Sequence, residues 1–456
     1  MVFVPNIYIY LTNKVLGEYY NMEKDAFNVV PSNYERKKIS QNKPNSLYWI
    51  FTMFGTAVGA GILYLPVQAG IGGIWPLLIV SIFMLPVVFY SHKAVLDLLM
   101  SNKLLRDYSG TINKNFGITF GFVINIVFFL TWFFCLTLYS IGLSENTGIY
   151  LQYLGLTADN LAKTIYLSLI ILIILFGMIR FCKKILLKIM SILSILLIVL
   201  LFGISVYLIP HWDLNNFTTI PKTSIIINQI LLILPLLVMS FVFFPAMSAM
   251  VIAYRQSYDA DGTSSNRLNK IAFHSTWILL LFVLFFVFSC ILALPSNDFE
   301  FALKENINCL TLISIKLKDT GPLSRMGTLI GLAALTTSFI GVFFAVRESA
   351  HHIVLTISRS LLKRKISKNK IDNFVLAFLL ICLWGLTITN LSVVAMFSAL
   401  VAPLVSIFLY ILPIVIFFIK PNLKPYRTLT NIMIFCIGVL LLFSFGLGKL
   451  LQTLIK

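Results

Sequence analysis

Three glycines fall within seven residues in Gly55-Thr56-Ala57-Val58-Gly59-Ala60-Gly61, inside an otherwise apolar stretch. Each glycine weakens a helix by roughly 0.5–1 kcal/mol relative to alanine. A second apolar stretch is interrupted at Ser240-Phe241-Val242-Phe243-Phe244-Pro245-Ala246-Met247-Ser248-Ala249, where Pro245 removes one backbone hydrogen bond and crowds the preceding turn. Interruptions of this kind bare peptide N–H and C=O groups, and the chemistry they offer is recognition. A zwitterion can place its carboxylate against free N–H groups at the positive end of a half-helix, and its ammonium against freed carbonyls. Thr56 and Ser240 add hydroxyls for a polar side chain. Two plainer readings stand beside this one: Gly55 and Gly59 have the GxxxG spacing of a helix-packing face, and Pro245 fits a kinked but continuous helix.

The rest of the chain offers little else for chemistry. There is no HExxH, GxSxG or Asp-rich phosphate motif, which speaks against a membrane enzyme. The six cysteines (Cys135, Cys182, Cys290, Cys309, Cys382, Cys436) form no CxxC pair and read as small hydrophobes. The five histidines (His92, His211, His274, His351, His352) mostly fall near predicted helix ends, a pattern that argues against a metal site.

Both interrupted stretches must be positioned by membrane-spanning helices. The 456 residues are 59% hydrophobic and only 11% charged, and apolar runs of about 18 or more residues recur from Tyr48 onward, each long enough to cross a hydrocarbon core. Short segments with strict alternation are absent, so helices rather than a membrane barrel satisfy the backbone. The fold class is therefore all-α, with eleven spans expected near 46–70, 73–100, 117–146, 161–179, 184–209, 224–255, 270–294, 323–352, 372–390, 392–419 and 428–453. The net charge of +18 is the mark of cation-rich cytoplasmic loops rather than of a nucleic-acid partner.

The N-terminal tail, residues 1–45, and the loops after even-numbered spans hold about 25 of the 35 Lys and Arg, including Lys363-Arg364-Lys365. That asymmetry places the N-terminus inside and the C-terminus outside. Met22 is an alternative start to Met1. Residues 298–322 form the longest outer connection and read as an extracellular cover.

The two interruptions occupy matching places: span 1 opens one block of five helices (46–210) and span 6 opens another (224–419), with 428–453 as an addition. Matched breaks point to a transport site, and an odd number of helices per block makes the second block inverted relative to the first. A channel would want selectivity rings, usually built by oligomers, whereas here one chain suffices as the functional unit. A sensor on the same architecture would usually carry a soluble output domain, and none is visible.

At Gly55 to Pro66, followed by Ala69-Gly70-Ile71-Gly72-Gly73-Ile74-Trp75-Pro76, the chain resembles the hydroxy and aromatic amino acid permeases, and among them the serine/threonine branch. Arg347-Glu348 is similar to that family's pattern too. The resemblance implies the LeuT-type fold of the amino acid, polyamine and organocation superfamily. It also implies a bacterial inner-membrane location and cation-coupled import of a small neutral amino acid, with an aromatic substrate as the alternative. It carries substrate contacts onto Thr56, Ala57, Gly59, Ala60 and Gly61, onto Ser240, Phe241, Phe244 and Pro245, and onto Asn125 or Thr131 of span 3.

No cofactor is implied beyond a coupling ion, H+ or Na+. Ala334, Thr337 and Ser338, with the Gly55 and Val58 carbonyls, resemble a sodium site of oxygen ligands. Serine permeases of the family are commonly proton-coupled, and some have a lysine where Thr337 stands, an ammonium that mimics the ion; its absence here speaks against proton coupling. The plainer reading of the span 8 hydroxyls is bonding back to carbonyls one turn earlier. Arg347 and Glu348 are candidates for a cytoplasmic gate pair, while Glu145 and Lys188 are further ionisable groups near span ends.

Overall fold

In hydrocarbon an unpaired backbone group costs roughly 2–7 kcal/mol, so each apolar run closes its hydrogen bonds within itself. The computed structural model describes residues 44–102, 106–153, 155–157, 165–181, 185–217, 220–258, 264–304, 307–316, 322–358, 368–389 and 392–455. Residues 1–43 of the expected tail, with Met22, the basic run at 363–365 and parts of several loops lie outside these residues.

The helices are α1 (Ser46–Ala57), α2 (Ala60–Ile71), α3 (Ile74–Met100), α4 (Tyr108–Tyr153), α5 (Ile165–Phe181), α6 (Leu186–Tyr207), α7 (Thr223–Phe241), α8 (Met247–Tyr258), α9 (Ser264–Ala293), α10 (Ser296–Lys304), α11 (Cys309–Lys316), α12 (Pro322–Thr356), α13 (Lys368–Thr387), α14 (Val393–Ile419) and α15 (Leu429–Ile455). Among the described residues nine helices are long and apolar enough to cross a membrane, ten if the bent pair α1 and α2 counts as one span. The expected fourth span appears as the shorter α5 of 17 residues. Side chains such as Ile170, Ile174, Val199 and Leu281 are exposed, as a lipid-facing surface requires.

Helices α6, α9 and α12 pack against the first interrupted span, and α3, α14 and α15 pack against α7 of the second. At one end, α10 and α11, from the segment expected as a cover, are joined by a Lys316–Asp298 ion pair of 2.6 Å. Phe299 lies against Gly70, whose missing side chain makes room for the ring. Helix α4 begins as a short segment that kinks into its span at Gly117, whose φ of 78° suits glycine.

Candidate functional site

The first span breaks where its glycines fall. Helix α1 stops at Ala57, Val58 (φ −81°, ψ 87°) and Gly59 (φ −130°, ψ −139°) leave helical geometry, and α2 restarts at Ala60 with a 49° bend. No side chain caps the start of α2, so the first amides of the helix, at Ala60, Gly61 and Ile62, point out of its positive end. The glycines also serve close approach. A side chain at Gly59 would meet Ser338 Cβ at 2.6 Å and Tyr139 Cε1 at 3.0 Å, and one at Gly61 would lie 2.9 Å from the Ser240 amide nitrogen. Gly61 therefore brings the backbone of α2 onto the last turn of α7, where the other break begins.

That second break has a different construction. Helix α7 ends at Phe241, Val242 is extended, and Phe244-Pro245-Ala246 form a 3₁₀ turn before α8. The Phe243 carbonyl accepts from the Ala246 N–H (3.2 Å), while the Phe243 N–H donates to Nε2 of His92 on α3 (3.1 Å). Phe244 enters a buried aromatic cluster, 4.6 Å from Tyr108 and 5.7 Å from Trp132 between ring centroids. Phe128 links that cluster to Phe408 on α14 at 4.9 Å.

The remaining expected contacts have diverse placements. Ala57, Ala60, Phe241 and Pro245 are buried at the breaks. Ser240 donates its hydroxyl to Leu236 O (2.8 Å) and Thr131 to Val127 O (2.7 Å). Thr56 donates to Thr52 O (2.7 Å) and packs its side chain against Gly341 of α12, so its hydroxyl is spent within its own helix. Asn125 is not brought to the breaks by its bonds: its amide donates to Asn113 Oδ1 (2.9 Å) and Ser109 O (3.3 Å) at the start of α4.

Of the expected ion ligands, Gly55, Thr337 and Ser338 come together. Ser338 donates to the Gly55 carbonyl (3.0 Å), and Thr337 donates to Ala333 O (3.0 Å) and Ala334 O (3.1 Å). Gly55 also packs against Ser194 of α6. Val58 is buried beside them in the break.

Arg347 and Glu348 do not pair with each other but reach in different directions. Arg347 bonds Asp372 on α13 (2.8 Å), which His351 also approaches at 3.4 Å. Glu348 Oε1 instead accepts from the Ser109 N–H (2.8 Å), one of three orphan amides at the start of α4. The Tyr108 amide goes to Ser248 Oγ of α8 (3.1 Å) and the Gly110 amide to the capping Asp107 (2.7 Å). Asp107 in turn accepts from His352 Nε2 (2.9 Å). Burial would raise the Asp107 carboxyl, but the adjoining His352 and the Gly110 N–H outweigh it and hold the group below the usual carboxylate range.

The Tyr108 hydroxyl donates to Phe408 O (2.6 Å). Leu412 N–H donates to Ile407 O in a π-turn, so the next carbonyl, that of Phe408, faces Pro413, which has no N–H to give.

Sequence reasoning passed over His92, Asp107, Tyr108 and His352. His92 carried a usable signal, an ionisable residue well inside a span. The other three became visible only once the chain had folded.

An all-α, multi-pass bundle with its first and sixth spans broken at adjoining points has the architecture of LeuT-type membrane transport proteins. The model for the tryptophan/tyrosine permease family matches residues 43–450, and the chain belongs to that family, as a permease rather than an enzyme. It is 28% identical over 401 residues to the serine transporter SdaC of Escherichia coli (strain K12), covering 86% of this chain and 92% of that protein. It is 27% identical over 424 residues to the threonine/serine transporter TdcC of Edwardsiella tarda, covering 88% and 95%. Among solved structures, Mhp1, a nucleobase-cation-symport-1 family transporter in a closed conformation with bromovinylhydantoin bound, is similar in fold. Its TM-score is 0.52 at 9% identity, over 90% of this chain and 92% of that one.

Proposed function

We propose that the protein imports a small neutral hydroxy amino acid, serine or threonine, by cation symport with alternating access. Residues 46–210 and 224–419 are the two inverted repeats of that machine, and 428–453 is an added helix. The observation that carries the reading is the contact between the breaks: the positive start of α2 lies against the end of α7 through Gly61 and Ser240, 2.9 Å from where a side chain would begin. The substrate carboxylate takes the free amides at Ala60 to Ile62, and its ammonium takes carbonyls ending α1 and α7. The names of the relatives SdaC and TdcC support serine and threonine, and the rings of Tyr108, Phe128, Trp132 and Phe244 beside the second break favour a small side chain over an aromatic one.

The cation-rich side is the cytoplasmic one, so the Asp107–His352, Glu348–Ser109 and Arg347–Asp372 ties close the inner mouth. For the coupling ion, hydroxyls of Thr337 and Ser338 already bonded to carbonyls favour a proton over sodium. The test is reconstitution into vesicles with labelled serine, threonine and tryptophan under an imposed sodium or proton gradient. Serine or threonine uptake is expected, and uptake of tryptophan alone overturns the substrate assignment.

A further inference from the structure

His92 lies 18 residues into a 27-residue span and is 1% exposed, where an ionisable side chain is costly unless it has a task. Both ring nitrogens are bonded to backbone. Nδ1 is 2.8 Å from Val88 O and Nε2 is 3.1 Å from Phe243 N. A carbonyl can only accept and an amide N–H can only donate, so the proton sits on Nδ1 and Nε2 presents its lone pair. The imidazole is neutral in this state, and its ring stacks on Phe243 at 3.7 Å.

Phe243 is the hinge residue of the second break. The extended Val242 has left α7, the 3₁₀ turn has begun, and the amide of Phe243 would be an orphan in lipid without an acceptor from elsewhere. His92 supplies it. A proton on Nε2 would point N–H at N–H, so protonation of His92 and the bond to Phe243 exclude each other. By linkage, a movement that frees Phe243 raises the affinity of His92 for a proton, and a proton on His92 favours the released hinge by the same factor.

The neighbouring ionisable groups have other partners. Lys93 pairs with Asp97, Arg255 donates to Asn102 O, Tyr254 bonds Ser46, His274 bonds Lys270 O, and Tyr410 bonds Ser91. Arg267 and Lys270 are exposed on α9, and α7 carries no ionisable residue.

We propose that His92 takes up the coupling proton, exchanging the Phe243 amide for a proton on Nε2 as the second broken helix moves. The proton enters from the outer aqueous side while the hinge is released, and leaves to the inner side when the Phe243 N–H returns to the lone pair. The proposal rests on the transport reading above and adds the site at which the coupling proton is held.

The full-length protein in liposomes with a trapped pH dye tests it. Wild type is expected to concentrate labelled serine under a one-unit inward proton gradient, up to about ten-fold for one proton, with internal acidification. His92→Gln accepts the amide but does not titrate in this range. It should retain serine counterflow, made independent of pH between about 5.5 and 7.5, while the accumulation ratio falls to about one. His92→Asn is the second variant. Proton uptake measured on wild type in weakly buffered liposomes needs no variant: serine entry without proton entry overturns the proposal. So does proton-driven accumulation by His92→Gln that equals wild type. Wild type without counterflow of any hydroxy or aromatic amino acid strikes the transport reading itself, whereas wild-type counterflow without proton-driven accumulation strikes the histidine alone.

Discussion

The two broken spans solve one problem in different ways. In the first, glycine does the work locally: Val58 and Gly59 abandon helical geometry, yet their amides still bond within the chain, to Phe54 O and Ala57 O at 2.9 and 3.0 Å. The space left by absent side chains is filled by Ser338, Tyr139 and the end of α7. In the second, bulky Val242, Phe243 and Phe244 surround Pro245, and the freed amide is satisfied from another helix by His92. A glycine break is thus sensitive to added volume, whereas a proline break among large side chains is sensitive to loss of its imported partner. Only the second kind places a titratable group on the hinge.

The largest effect expected from this contrast is at Gly59. Gly59→Leu forces a side chain into Ser338 and Tyr139 and displaces the α2 amides. Displacement of a binding group by about 1 Å can cost about 100-fold, so serine uptake in vesicles should fall by at least that much. Adding Ser338→Gly to Gly59→Ala should recover part of the loss if the clash is the cause. Normal transport by Gly59→Leu would mean that the glycines serve helix packing alone.

Next comes His92→Phe, which keeps the stack on Phe243 but removes the acceptor. A buried N–H left unpaired costs about 1–3 kcal/mol, read as a lower midpoint of thermal unfolding in detergent. An unchanged midpoint would show that the second break needs no partner.

A third test bears on the start of α4, where a pH effect is expected outside the breaks. The carboxyl of Asp107 lies below its ordinary range when folded, so its contribution to stability is present above the unfolded carboxylate pKa and lost as pH falls through the folded value. Asp107→Asn should lower the thermal midpoint near pH 6–7, and the gap to wild type should close on acidification below about pH 4. A gap that widens in acid would reverse the sign of this tie.

The smallest effect belongs to Thr56→Val. The hydroxyl is already given to Thr52 O and the side chain packs on Gly341, so the uptake of serine should change by no more than about two-fold. A loss of ten-fold or more would mean that Thr56 turns its hydroxyl to the substrate during transport.

Much of the architecture was legible in the linear chain. Apolar runs long enough to span, a glycine cluster and a proline each act through local chemistry, and α3, α12 and α14 lie within a few residues of their expected bounds. The positions of both breaks were legible as well, in three closely spaced glycines and in Pro245, although Pro66, Pro86 and Pro235 stay inside intact helices.

Partners were another matter. That Ser338 closes on the Gly55 carbonyl, that Glu348 caps Ser109 rather than answering Arg347, that Asn125 sits among polar groups at the start of α4, and that His92 meets Phe243 across 151 positions of sequence are facts of packing. A hydrogen bond between distant segments depends on where helices cross and how each is rotated. Single-chain periodicity leaves those two quantities open, and only the assembled bundle sets them.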